Sequence, residues 1–474
     1  ILDGLTVKLE QVGAGGKLEM ELAARQVESD LVTSRTLSLR PSYLPYRMDV
    51  TAGSVFYDGS KVELISLKGR HDASMLSANG ICRQNSQGRW ELMLNVHAGS
   101  RLLPDAELIA AMPAQMREAM KALQLRGPIG VSGATRIVLP DALHADPELD
   151  WDIALQLEGN RIAEVGPVHS MRGSVRVVGR QDGRGIFANG NIQIDSLHVY
   201  DLQLTNIEGP FSIANAMLYL GKPPRGATSP NLVGLADPRV IARPENRLHG
   251  NLFGGSLVMD GNVQLSTGDF DVVLGIENAS LPDILADFGQ NGKDMSGSFR
   301  GRTRLLGKLG NMSMLRGKGW SLVRDATLYK LPLMDQVMEL LRIKKPDEQD
   351  YSALTDADVQ FELFGETITF DRIDVSGDLI ALKGYGKLDN RQELDVSFQT
   401  QVNPRNTLMG LLTLGEQYTL WTIDVRGPLH SLTYQRRALE GVEETLEMIF
   451  PAISDNPEEI ATEPKTGLGR LLSF

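Results

Sequence analysis

The chain lacks most of what catalytic and metal-binding proteins are built from. Its single cysteine, Cys82, excludes an internal disulfide and any site made of several thiolates. Cys82 itself reads as a small buried apolar residue. The seven histidines stand at 71, 97, 144, 169, 198, 249 and 430, none within four residues of another. Local metal-ligand spacing of the HxH or HExxH kind is therefore missing, and only a composite site drawn from distant residues stays open. No Gly-x-Ser-x-Gly elbow offers a serine nucleophile. The run Val12-Gly-Ala-Gly-Gly-Lys17 approaches a phosphate loop. Gln11 stands where that motif has its first glycine and Leu18 where it has a hydroxyl, so the run reads as a turn.

Basic charge is scarce as well. Lys and Arg number 48 against 60 Asp and Glu, a net charge of -12, which argues against nucleic acid as a partner. No run approaches the about 18 apolar residues that a membrane-crossing helix requires. The sequence opens in mid-pattern at Leu18-Glu-Met-Glu-Leu22 without a signal-peptide pattern, so we expect a fragment whose membrane anchor would lie upstream.

What is abundant is period-two alternation. Val359-Gln-Phe361-Glu-Leu363, Ile368-Thr-Phe370, Ile373-Asp-Val375 and Leu394-Asp-Val396-Ser-Phe398 follow one another near the end. Each such strand has one apolar and one wet face. Many in succession predict a mainly β fold, a long, twisted, mostly antiparallel sheet bent into an open groove, with a few amphipathic helices capping or plugging it. On the order of 25 strands stacked about 4.8 Å apart would span roughly 120 Å at most.

The organisation follows from where alternation starts and stops. Residues 1–104 read as short strands, with Gly53, Gly59, Gly69, Gly80 and Gly88 between them as turns. Residues 105–125 carry Leu108, Ile109, Met112, Met116, Met120 and Leu123 at helical spacing, an amphipathic helix that Pro113 should kink. A central β segment covers 126–221, with Gly190 and the Asp195-Ser196 step as turns or bulges. Pro223, Pro224, Pro230, Pro238 and Pro244 make 222–247 a loop or hinge. A C-terminal β region over 248–435 contains helices near 281–288 and 332–343, Pro332 sitting at a first helical position. Residues 436–474 hold an acidic amphipathic helix and then an acidic tail expected to be disordered.

Several features carry two readings. Asp146-Pro-Glu148-Leu-Asp150-Trp-Asp152 could be an acid/base pair or a calcium site, but Asp150 and Asp152 alternate with Trp151 and Ile153 and read better as a solvated face. Trp320 and Trp421 could stack on sugar rings or pack on a sheet. Seventeen methionines suit either an adaptable lining or an irregular core. An enzymatic β-solenoid acting on polysaccharide would need carboxylates or arginines clustered on one outer face, whereas charge here is spread evenly.

The stretch from Leu305 to Arg426 resembles the C-terminal region of the AsmA-like proteins of double-membraned bacterial envelopes. The residues that carry the likeness are Leu306-Gly-Lys-Leu-Gly310 and Leu315-Arg-Gly-Lys-Gly319, read as paired leucine–glycine turns, and Asp325-Ala-Thr-Leu-Tyr-Lys-Leu-Pro-Leu333 leading into a helix. Ile380-Ala-Leu-Lys-Gly-Tyr-Gly-Lys-Leu388 and Val425-Arg-Gly-Pro-Leu429 continue it. The resemblance implies a periplasmic body anchored in the inner membrane and a β trough of the bridge-like lipid-transfer type, with no active site and no cofactor.

On that reading the groove would be lined by Trp151, Ile153, Leu155 and Leu157 in the central segment. Phe361, Leu363, Phe370, Leu394, Val396 and Phe398 would line it near the end. The expected partners are a phospholipid or other acyl lipid, the inner membrane, and an outer-membrane or periplasmic protein. A non-enzymatic assembly factor for the outer membrane, its sheet interior filled by side chains, is the competing expectation.

Overall fold

The computed structural model describes residues 5–10, 17–27, 34–41, 46–57, 60–112, 117, 120–121, 124–141, 147–162, 168–183, 185–199, 202–214, 216–221, 247–287, 294–341, 354–377, 380–402, 419–429, 431–438 and 460–461. The proline-rich segment 222–246 and the expected tail helix at 438–450 lie almost wholly outside them. The chain is mainly β. It divides into two compact units, residues 1–229, 243–250 and 260–269, and residues 230–242, 251–259 and 270–474.

In the first unit the strands are β1 (Leu5–Glu10), β2 (Lys17–Val27), β3 (Ser34–Pro41), β4 (Met48–Tyr57), β5 (Lys61–His71), β6 (Ser74–Gln84) and β7 (Trp90–Leu102). They continue with β8 (Leu125–Arg126), β9 (Ile129–Val138), β10 (Glu148–Ile162), β11 (Val168–Asp182), β12 (Gly185–Val199), β13 (Leu202–Ala214) and β14 (Met217–Leu220). Successive strands pair antiparallel except at β8, which pairs with β10, and β9 lies between β7 and β10. No pairing among the described residues joins the first strand to the last, so the sheet is open.

Glycine does different work here from the turn marker expected of it. Gly88 is in a turn with φ +76°, but Gly53, Gly69, Gly80 and Gly190 stand inside strands. A Cβ on Gly80 would sit 2.6 Å from the Leu94 side chain, and one on Gly190 would strike the Phe211 ring. A large side chain on one strand thus lies flat over a missing one on its neighbour. The Asp195 step is a bulge, as expected: Arg172 faces Ser196 and Gly173 faces Ile194, leaving Asp195 unmatched. A second bulge follows Gly159 (φ +84°). Fully buried Asn160 pins it, accepting from the Glu158 N–H at 2.8 Å and donating to Pro128 O at 3.0 Å.

The expected helix over 105–125 is shorter at its start. Helix α1 spans only Ala106–Ala111, capped by Asp105 Oδ1 accepting from Leu108 N at 2.7 Å. Met112 is extended, because the residue before a proline is pushed out of the helical region by the ring. The helix thus ends two residues before Pro113; residues 117, 120 and 121 are helical again, and Pro113 itself lies outside the described residues.

Strands β15 (Leu248–Leu252) and β16 (Gly255–Gln264) hold residues of both units, and the second unit goes on with β17 (Asp269–Ser280), α2 (Leu281–Asp287), β18 (Ser298–Lys308), β19 (Asn311–Arg324) and α3 (Pro332–Leu340). After them come β20 (Asp356–Phe364), β21 (Thr367–Ser376), β22 (Ile380–Leu388), β23 (Glu393–Val402), β24 (Thr419–Pro428) and β25 (Thr433–Ala438). From β18 to β25 each strand pairs antiparallel with the next. Pro332 is at the first position of α3, as the sequence predicts. Of the two leucine–glycine turns, only Gly310 (φ +75°) turns the chain. Gly317 and Gly319 are in the middle of β19, beneath Leu363 and Phe361.

Helices α2 and α3 supply this unit's core. Leu281, Leu285, Met334, Val337, Met338 and Leu340 cluster with Val375, Leu382, Val396, Phe398, Ile423 and Val425 of the sheet. Each fully buried apolar side chain of this size is worth about 1.5–3 kcal/mol over exposure.

Candidate functional site

Trp151, Ile153, Leu155 and Leu157 occupy one face of β10, and the register extends that face across the first unit. Ile153 faces Gly133 on β9 and Val177 on β11, while Leu155 faces Val131 and Val175. Val177 continues to Gly190, and Val175 to Ile192. Toward the N-terminus Gly133 meets Val96, which meets Ala78, then Leu67. Each row runs straight across the strands with an apolar side chain or a glycine at these positions.

Cover differs between rows. At one end of the strands Trp151, Ile186 and Ala188 are buried together, and so are Val62, Cys82 and Leu139. The Trp151 ring lies across Gly179, which has no side chain to keep it off. Toward the other end Leu157, Ile194 and Ile207 are buried. Between these margins Ile153, Leu155, Val131, Val175, Val177 and Ile192 are only half-buried. α1 is the only described helix of six or more residues in this unit, and its buried side chains are Leu108 and Ala111. A strip of hydrocarbon thus runs over several strands with protein covering its margins more than its middle.

The opposite face is the solvated one. Arg136 bridges Glu91 and Asp150 at 2.8 Å each, and Arg176 clasps Asp152 at 2.9 and 2.7 Å. The Arg176 hydrogen bond holds the Asp152 carboxyl below its ordinary range. The carboxylates of 146–152 that the structure describes are therefore cross-strand ion-pair partners. Arg89, which sequence reading passed over, is buried at the end of this face. Its Nε and Nη2 donate to Leu139 O at 3.2 and 3.1 Å, and Nη1 donates to Glu148 at 2.8 Å, depressing the Glu148 pKa.

The second unit treats its apolar face differently. All six candidates there share one face: Leu363 lies opposite Ile368, Phe361 opposite Phe370, Phe370 opposite Gly386, Gly386 opposite Val396, and Gly384 opposite Phe398. Ile368-Thr-Phe370 and Ile373-Asp-Val375 belong to one strand, β21. A bulge at Asp371–Arg372 keeps Phe370 and Ile373 on the same side despite their odd spacing. Leu394, Val396 and Phe398 are 7, 3 and 2% exposed inside the helix-covered core. Phe370 packs at its margin. Phe361 and Leu363 are half-buried and outside that cluster, lying over Gly319 and Gly317. The pattern that looked uniform in sequence is thus closed by α2 and α3 at Leu394–Phe398 and less covered at Phe361 and Leu363.

Trp421 is 6% exposed in the same core, with Arg436 stacked on its ring at 4.7 Å. Cys82 is 2% exposed, and burial pushes its thiol pKa to about 11. His169 and His198 stack face to face across β11 and β12, ring centroids 5.2 Å apart. Among the described residues no three His, Cys, Asp or Glu side chains converge on a metal position. No described helix is long and apolar enough to cross a membrane. No protein-family model, curated protein or solved structure matches the chain.

Proposed function

We propose that this protein binds and transfers lipid in a cell envelope, holding phospholipid acyl chains on the apolar face of its sheet as they pass between inner and outer membrane. The reading is non-enzymatic, periplasmic and anchored at the inner membrane, in keeping with the resemblance of Leu305–Arg426 to AsmA-like proteins. One observation supports it above the rest. The middle rows of the first unit, Ile153 and Leu155 with their cross-strand neighbours, remain half-buried beside closed margins and opposite an ion-paired face. Each methylene laid there leaves water with a gain of about 0.8 kcal/mol. Because successive strands offer equivalent apolar contacts, a chain moving by one strand exchanges like for like, and selectivity among acyl chains should be weak.

The test is detergent-free purification followed by lipid extraction and mass spectrometry. Phospholipid should accompany the protein and be lost in Leu155→Asp and Val175→Asp. Lipid-free protein from gentle preparation overturns the reading.

The helix-covered core around Val396 and Phe398 favours a second reading, an assembly factor for the outer membrane that carries no lipid. A photocrosslinker on the first unit's apolar face would then capture polypeptide rather than lipid.

A further inference from the structure

The ion-paired side of the second unit contains a depression that acyl binding does not use. It has a volume of about 660 Å³, within the range of about 300–1,000 Å³ typical of small-molecule sites. It is formed by alternate residues of β18, β19 and β20, where Arg302 faces Trp320, Trp320 faces Gln360, and Lys318 faces Glu362. Trp320 stands in its lining among Arg304, Lys318, Asp358, Gln360 and Glu362. The indole is half-buried, and its Nε1 is inaccessible with no acceptor among the described residues. What the side chain offers the cavity is therefore ring carbon and not its N–H.

Leu306, Leu322 and Phe364 make much of the lining apolar, and the charges set among them bear on the ligand class. Lys318 Nζ lies 2.7 Å from Glu362, and Arg304 clasps Asp271 at 2.8 and 2.6 Å. A hydrocarbon tail crossing these pairs would strip their water and return no hydrogen bonds. A molecule with an apolar ring face and a rim of hydroxyls fits both elements. It stacks on the indole while its hydroxyls bond to Gln360, Asp358 and Glu362, which supply acceptors and donors at that level of the sheet. At the hairpin end, exposed Phe364 carries the Arg316 guanidinium 3.5 Å above its ring, forming a wall.

We propose that this depression is a saccharide-binding site of two to three sugar rings, with Trp320 as its stacking platform. The sugar is either a free glycan or the headgroup of a glycolipid, both presenting the same ring chemistry. The site is independent of the acyl-chain reading, since it lies on the other face of the sheet and uses none of the groove candidates except the Leu363 margin.

Saturation-transfer NMR on the full chain with maltotriose, cellotriose and chitotriose tests it, with dodecyl maltoside below its micelle concentration as the lipid-linked arm. Transfer to ring protons of at least one free sugar is expected, lost in Trp320→Ala and partly retained in Trp320→Phe. Asp358→Asn with Gln360→Ala should weaken the same signal without touching the indole, which covers a misfolded Trp320→Ala. Equal transfer to maltotriose and dodecyl maltoside sugar protons points to the ring as the recognised group, and stronger transfer to the latter's sugar protons to a glycolipid. Absence of transfer to every free sugar, transfer confined to alkyl protons, or transfer surviving all the variants overturns the site.

Discussion

Phe398→Ala and Ile153→Ala should separate a closed apolar face from an uncovered one. Both residues lie on the apolar side of alternating strands, but Phe398 is 2% exposed in the cluster it shares with α2 and α3, while Ile153 is half-buried at the edge of the Trp151 cluster. Truncating a buried Phe to Ala leaves a cavity and costs about 3–5 kcal/mol. Full burial of an Ile is worth about 1.5–3 kcal/mol, so removing most of a half-buried one should cost about 1 kcal/mol. The two units need not unfold together, which makes a whole-molecule midpoint a poor readout. Amide hydrogen exchange resolved by strand is better suited: Phe398→Ala should accelerate exchange in β22–β24 strongly, and Ile153→Ala should barely alter β9–β11. Equal losses at the two positions would refute the distinction on which the functional reading rests.

Other outcomes follow from single contacts. A Cβ on Gly384 would lie 2.5 Å from the Phe398 ring, so Gly384→Ala should destabilise the second unit by about 1–3 kcal/mol. Phe398→Leu in the same chain should recover part of that loss in a double-mutant cycle. Burial that lifts the Cys82 thiol to about 11 leaves little thiolate at pH 8, so a thiol reagent should label the native chain far more slowly than the unfolded one. Arg89 lowers the folded pKa of Glu148. Stability from that pair is present above the unfolded glutamate pKa and is lost as pH falls through the folded one. Glu148→Gln should therefore flatten this part of the acid limb in a pH series of denaturation midpoints, whereas an unchanged limb would remove the pair from the account.

The alternation made the strands legible, and with them the sides on which Trp151–Leu157 and Leu394–Phe398 lie. It could not tell the two groups apart, because cover comes from α2 and α3, distant in sequence, and not from the strands. Glycine misled for a related reason: Gly80, Gly190 and Gly319 are in strands because a neighbour's large side chain fills the space above them, a cross-strand fact invisible along the chain. The bulge at Asp371–Arg372 split one strand into two apparent ones. Trp320 could be singled out as an aromatic able to stack, but the depression around it exists only when three strands are aligned.

A photocrosslinking amino acid placed in turn at Ile153, Leu155 and Val396 of the full-length protein tests the central claim most directly. Lipid adducts at the first two positions, and none at Val396 beneath its helices, are the predicted result. Polypeptide adducts or none at Ile153 and Leu155, with the protein folded, would contradict it.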